Sequence, residues 1–182
     1  MVATAQGSPF LLNFDEKAMA GLRWAGLPEE RLWDYAPVGC LENTLQGDDR
    51  SGTVDVNLNI AKAVELALND GRDMASGEQI GPRTSDPRSF DGFAPLLAAF
   101  QQQLKCLLEL LIAANNLADT GRAHFEPTPY VSALVDGCLE SGRDVTAGGA
   151  RYNFLTVEGI GLATAVDSLA ALRKLVFEER KI

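Results

Sequence analysis

The stretch from Phe90 to Leu117 limits the possible folds more than any other part of the chain. Its spacing predicts one long helix. Phe100, Leu104, Leu107, Leu108 and Leu111 line one face, and Leu110 and Ile112 carry apolar character around the middle. A helix of this kind is either buried on several sides or awaiting a partner, so other elements must cover it. Those on offer are mostly helical as well. Periodicity predicts helices over 15–25, 58–68, 130–139 and 160–179, with a further helical turn opening at Pro28-Glu29-Glu30. Asn57 reads as the cap of the 58–68 helix and Gly71 as its stop. Extended residues are confined to 33–40 and 152–157, while 42–56 and 71–89 read as loops. So few strands in 182 residues do not complete a sheet of their own.

Composition narrows the function classes. Hydrophobic residues make up 46% and charged residues 23%, which is globular rather than disordered. Sixteen Lys and Arg against 25 Asp and Glu leave a net charge of −9, so nucleic acid and anionic membranes are excluded as partners. The strongest apolar run, Cys106-Leu107-Leu108, is broken at Glu109, and no membrane span is expected. Met1-Val2-Ala3-Thr4-Ala5 lacks the basic and apolar parts of a leader, which makes the cytoplasm the expected location. One histidine, His124, excludes histidine-rich zinc sites, and it reads as a packing or capping residue beside Phe125. Three widely spaced cysteines, Cys40, Cys106 and Cys138, argue against a disulfide framework. Cys106 and Cys138 sit at apolar helical positions and read as packing residues. Asp48-Asp49 reads as an exposed charged turn, with a cation site as the alternative.

Two short motifs bear on chemistry. Gly159-Ile160-Gly161 lies between an extended segment and a helix in the manner of a dinucleotide loop, but the third glycine position holds Thr164 and no strand follows. Tight strand-to-helix packing is the better reading. Val38-Gly39-Cys40-Leu41-Glu42 is more informative. In an extended segment Cys40 and Glu42 would project to one side and Leu41 to the other, setting a thiol beside a proton acceptor. Gly39 removes a side chain and would let another backbone approach. On residue chemistry alone, a packing cysteine outweighs a reactive one.

The Gly-Cys-Leu-Glu tetrad resembles the thiyl-radical loop of the glycyl radical enzymes, the superfamily of pyruvate formate-lyase, and most closely its lyase and dehydratase branch. Ser8-Pro9-Phe10, the segment Asn59–Leu66, Gly148-Gly149-Ala150-Arg151-Tyr152-Asn153-Phe154 and the segment Asp167–Val176 resemble further family blocks, in the family's order and over nearly the whole chain. The resemblance implies an α/β fold, here a helix-rich partial segment (residues 1–182) of a ten-stranded glycyl radical enzyme barrel. It implies that Cys40 becomes a thiyl radical that abstracts a substrate hydrogen atom, with Glu42 as the general base, driving C–C, C–O or C–N cleavage. It also implies a small-molecule substrate, a homodimer of the full enzyme and a radical S-adenosylmethionine activating enzyme as partner.

Departures from the family pattern shape the expectation. Cys40 is followed by Leu41 rather than a second cysteine, which disfavours acetyl transfer. Where the diol dehydratases carry Trp-His-Asp, this chain has Gly52-Thr53-Val54-Asp55, so that acid is absent or shifted to Asp55. A small pocket with Asn43 and Thr44 fits another substrate, an arylacetate-type carboxylate or an amine. No Gly-Tyr dipeptide occurs, so the protein-derived glycyl radical implied by the family has no glycine here, and no cofactor is expected to bind this segment. The chain is therefore expected to be an internal piece, lacking the C-terminal glycine radical domain and inactive by itself. The alternative is a non-catalytic remnant or helical interaction module in which Cys40 only packs.

Overall fold

Local sequence accounts for most of the elements. Asp15 and Glu16 open helix α1 (Asp15–Trp24) with charge that suits its amino end, and Ala18 and Leu22, one turn apart, bury its inner face. A 3-10 helix (Glu29–Asp34) leads into strands β1 (Tyr35–Val38) and β2 (Glu42–Leu45). Then come β3 (Val56–Asn59), α2 (Ile60–Leu68), the long α3 (Phe93–Phe125), the single turns α4 (Pro129–Ser132) and α5 (Cys138–Ser141), β4 (Val157–Ile160) and α6 (Leu162–Leu172). A π-helical segment, Arg173–Glu178, succeeds α6. This computed structural model describes residues 13–39, 42–50 and 54–181.

The chain divides into two units. The first comprises the described residues up to Val54 together with Asp119–Thr156. In it β1 and β2 form an antiparallel hairpin in which Tyr35 pairs with Leu45 and Val38 with Glu42. Leu22, Leu27, Leu32 and Leu45 make its main core, with Met19, Tyr35, Tyr152 and Phe154 packed around them. Residues 42–45 are thus a strand and not part of a loop, because Leu45 is wanted in that core and Thr44 is buried on the other face. A smaller cluster of Cys138, Val145 and Ala150 lies in the same unit. The single helix expected over 130–139 is two separate turns, since Gly137 interrupts it with φ +95.

The second unit comprises Asp55–Ala118 and the described residues from Val157 onward. Here β3 and β4 pair in parallel, Val56 with Val157 and Asn59 with Ile160, and each strand passes directly into a helix. The cap of α2 is accordingly Asn59, whose Oδ1 accepts from the Lys62 N–H at 3.1 Å, and not Asn57, which the strand has claimed. Residues 152–156 stay outside the strand apart from a bridge at Tyr152, and the last helix begins at Leu162. A Cβ on Gly159 would lie 2.8 Å from Ile60 Cδ1, and one on Gly161 would lie 3.2 Å from Ala61 Cβ. Close strand-to-helix packing therefore explains this pair of glycines. The unit's core cluster is Ala67, Leu96 and Ala99, ringed by Phe90, Phe93, Phe100, Leu172 and Phe177.

Helix α3 runs eight residues past the expected end and starts three later. Phe100, Leu104, Leu107, Leu108 and Leu111 are only half-buried, and Leu110, Ile112 and Leu117 are exposed. Averaged over its best window, mean hydropathy reaches 1.3, so by length and composition alone α3 could cross a bilayer. The expectation that no segment would do so rests on the charge at Glu109, whereas the average tolerates both Lys105 and Glu109. His124 is exposed near the end of α3 and packs against the neighbouring Phe125 ring, with centroids 4.6 Å apart.

Leu45 is wholly buried, so Leu45→Ala is expected to lower the unfolding free energy by about 2–5 kcal/mol, as read by urea titration of the chain.

Candidate functional site

The hairpin is held firmly at its base and points its tip away from that anchorage. Tyr35, at the start of β1, donates its hydroxyl proton to Asp15 of α1 and accepts from Asn13 Nδ2 at 2.9 Å. The hydrogen bond to Asp15 pushes the Tyr35 phenol above its ordinary pKa. At the end of β2 the chain turns tightly, with the Asp48 and Asp49 N–H groups both donating to Leu45 O at 3.1 Å. Asp48 and Asp49 are 1% and 4% exposed, so the sequence reading of an exposed charged turn fails. Asp48 is the centre of an ion cluster. Arg31 and Arg151 both pair with its carboxylate, Arg151 Nη1 at 3.0 Å from Oδ1, and Asp34 in turn pairs with Arg31 at 3.0 Å. Thr44 Oγ1 donates to Asp49 Oδ2 at 3.5 Å, and the Arg50 N–H to Tyr152 O at 3.0 Å. Arg151 and Tyr152 belong to the Gly148–Phe154 block, so that block serves the hairpin directly.

At the tip, Val38 stands opposite Glu42, and Gly39 begins the turn after β1. It does so with φ +57, in the left-handed region. The expected common side of Cys40 and Glu42 turns on the placement of Cys40. Cys40 and Leu41 lie outside the described residues. Glu42 is half-buried, and its Oε2 is shut off from solvent with no hydrogen-bond partner among the described residues. Among the described residues, what approaches Gly39 is the Glu42 carboxyl and not a backbone. Of the two residues expected to line a substrate pocket, Asn43 is exposed and Thr44 is buried against Asp49.

The four residue types of the tetrad occur a second time, as Gly137-Cys138-Leu139-Glu140, a repetition that the motif reading passed over. The structure separates the two. Glu140 Oε2 accepts from the Gly137 N–H at 2.9 Å, closing a cap on α5, and Cys138 is 3% exposed. Burial, then the charges of Asp144 and Glu140, push the Cys138 thiol up in pKa. Asp144 accepts from Thr128 N, Ser132 Oγ, Thr146 N and Thr146 Oγ1, and these hydrogen bonds, Thr146's foremost, hold its carboxyl well below the usual range. Cys138 is a packing residue, as the sequence indicates. Among the described residues no group of His, Cys, Asp and Glu is arranged to hold a metal. A cavity of about 470 Å³ in the same unit is lined by Arg50, Asp119, Ala123, Arg143, Ala147 and Asn153 among others, and Glu42 does not line it.

Comparison with known proteins adds a separate line. The family described as pyruvate formate lyase-like matches residues 2–182. The chain is 34% identical over 180 residues to (2S)-3-sulfopropanediol dehydratase of Klebsiella oxytoca, an alignment that takes in 99% of this chain and 22% of that protein. It is also 34% identical over 181 residues to isethionate sulfite-lyase of Desulfovibrio desulfuricans, covering 97% of this chain and 21% of the other. The crystal structure of hydroxyproline dehydratase from Clostridioides difficile, with trans-4-hydroxy-L-proline bound, superposes with a TM-score of 0.84 at 35% identity, over 92% of this chain and 21% of that one. The chain spans about a fifth of the length of the relatives it matches.

Two outcomes are expected from this geometry. Asp48→Asn leaves two guanidinium groups without their shared anion and should cost about 3 kcal/mol in a urea titration. Cys138 should resist iodoacetamide in the native chain at pH 8 and react once the chain is unfolded, as read by peptide mass spectrometry.

Proposed function

Because the chain belongs to the pyruvate formate lyase-like family of glycyl radical enzymes, in its dehydratase and lyase branch, we propose that it is the portion of such an enzyme that carries the hydrogen-abstracting thiol, Cys40, and the base beside it, Glu42. The observation that carries the reading is Glu42 itself. Its carboxyl stands at the strand end next to the tip and keeps Oε2 free of any donor among the described residues, whereas the Glu of the second tetrad is consumed by a cap. A lone pair with no competing donor is what a general base needs.

The chemistry rests on the two groups. A glycyl radical held elsewhere in the enzyme supplies the oxidising equivalent at sulfur, since the chain contains no Gly-Tyr dipeptide to store it. The Cys40 thiyl takes a hydrogen atom from a substrate carbon that bears a hydroxyl group. Glu42 accepts the hydroxyl proton while the bond from the adjacent carbon to the leaving group breaks, and the leaving group departs with the bonding pair. The Cys40 thiol then returns its hydrogen atom to the product radical, which restores the thiyl. The same sequence serves a hydroxyl or a sulfite leaving group, the two classes named in the relatives. A small molecule is the substrate. The rest of a ten-stranded barrel, a second copy of the full enzyme and a radical S-adenosylmethionine activating enzyme complete the system, and the chain by itself does not turn over.

A chimera tests this. The corresponding segment of the Clostridioides difficile hydroxyproline dehydratase is replaced by this chain, and the product is activated anaerobically. Cys40→Ala is expected to abolish turnover, and Glu42→Gln to lower kcat by about 10²–10⁴-fold. Undiminished turnover in the Cys40→Ala chimera sinks the assignment.

A further inference from the structure

We infer that Gly39 is a positioning residue whose missing side chain is the slot in which the Glu42 carboxyl rests. The inference deepens the reading of Glu42 as the base and relies on it for its catalytic meaning. A Cβ built on Gly39 would lie 2.8 Å from Glu42 Oε2, 3.5 Å from Cδ and 3.7 Å from Oε1, closer than real Cβ atoms come to an oxygen. The atom in the slot is the same Oε2 that is closed to solvent without a donor among the described residues. The approach is enforced by the hairpin, because Val38 pairs with Glu42 and Gly39 must turn immediately after it with φ +57. The second tetrad supplies the contrast. Gly137 is also left-handed, at φ +95, but a Cβ there would meet backbone atoms, Arg151 N at 2.7 Å and Gly149 O at 2.9 Å, and not its own glutamate. Gly137 instead offers its N–H to Glu140. One glycine therefore ties its glutamate down through a hydrogen bond, and the other shelters a glutamate whose Oε2 has no donor among the described residues.

Two variants separate the slot from the backbone. Gly39→Ala adds a Cβ and strains the left-handed turn, while Gly39→Asn adds a Cβ at a residue type that tolerates this φ. Carbodiimide coupling of the native chain to an amine, followed by peptide mass spectrometry, reads the accessibility of each carboxyl. Both variants are expected to raise the coupling rate at Glu42 several-fold while leaving exposed Glu16 unchanged. An unchanged rate at Glu42 in either variant overturns the proposal. So does a wild-type Glu42 that couples as fast as Glu16. In the hydroxyproline dehydratase chimera, both variants should lower kcat with KM little altered, and should add no further loss in a Glu42→Gln background. If coupling rises but kcat is unmoved by Gly39→Asn and by Glu42→Gln alike, the slot stands and the base role of Glu42 falls.

Discussion

Asp48 is withdrawn from water between Arg31 and Arg151, and the position of the hairpin depends on that arrangement. A carboxylate in such a place is costly unless its charge is met, which the two guanidinium groups do. The two arginines come from segments far apart in sequence, the 3-10 helix before β1 and the Gly148–Phe154 block. Each is partly exposed, which lowers its own cost of burial. The ion cluster therefore ties the 3-10 helix, the end of the hairpin and a distant stretch of chain to one another. The Leu32 and Leu45 side chains fill the adjoining core, and the bonds between residues 48–50 and Tyr152 complete the seam. The base of the hairpin is over-determined.

What the sequence made legible was whatever local chemistry decides. The acids of α1, the long apolar helix and the stop near Gly71 were readable because capping, charge and a 3.6-residue period act within a few positions. Strand β2 was not, since Glu42-Asn43-Thr44-Leu45 has no alternation strong enough to outweigh the glycines and acids after it, and its reason for being extended lies in a core built by α1 and the 3-10 helix. The same holds for β3. Asn57 and Asn59 are equally good caps by type, and only the pairing of Val56–Asn59 with β4 shows which one is used. Asp48 was misread for a related reason, because the cations that admit it to the interior lie 17 residues before and 103 after it in the chain.

The apolar surface of α3 belongs to a different class of observation. Its stripe residues are half-buried, and Leu110, Ile112 and Leu117 face outward, an arrangement unusual for a helix that is finished by its own chain. Of the two sequence readings, burial on several sides or want of a partner, the described residues favour the second. The parallel pair β3 and β4 is similar, since two strands leave backbone groups on both outer edges unpaired within the pair. These features agree with a chain that matches about a fifth of the length of its relatives.

The two occurrences of Gly-Cys-Leu-Glu show why a motif needs its backbone before it carries chemistry. In an N-terminal helical turn, the first residue's N–H points toward the side chain three positions on, and a glutamate there is drawn into a capping bond. Residues 137–140 do this, and the thiol between them is buried with a raised pKa, unsuited to ionise or to meet a substrate. In residues 39–42 the glycine and glutamate are brought together by a strand reversal instead. The carboxyl lies where a Gly39 Cβ would stand, and its Oε2 meets no donor among the described residues. Identical residues thus give a cap in one backbone and, in the other, a glutamate whose Oε2 meets no donor among the described residues. The distinction rests on a hydrogen bond that Glu140 makes and that Glu42 Oε2 lacks among the described residues.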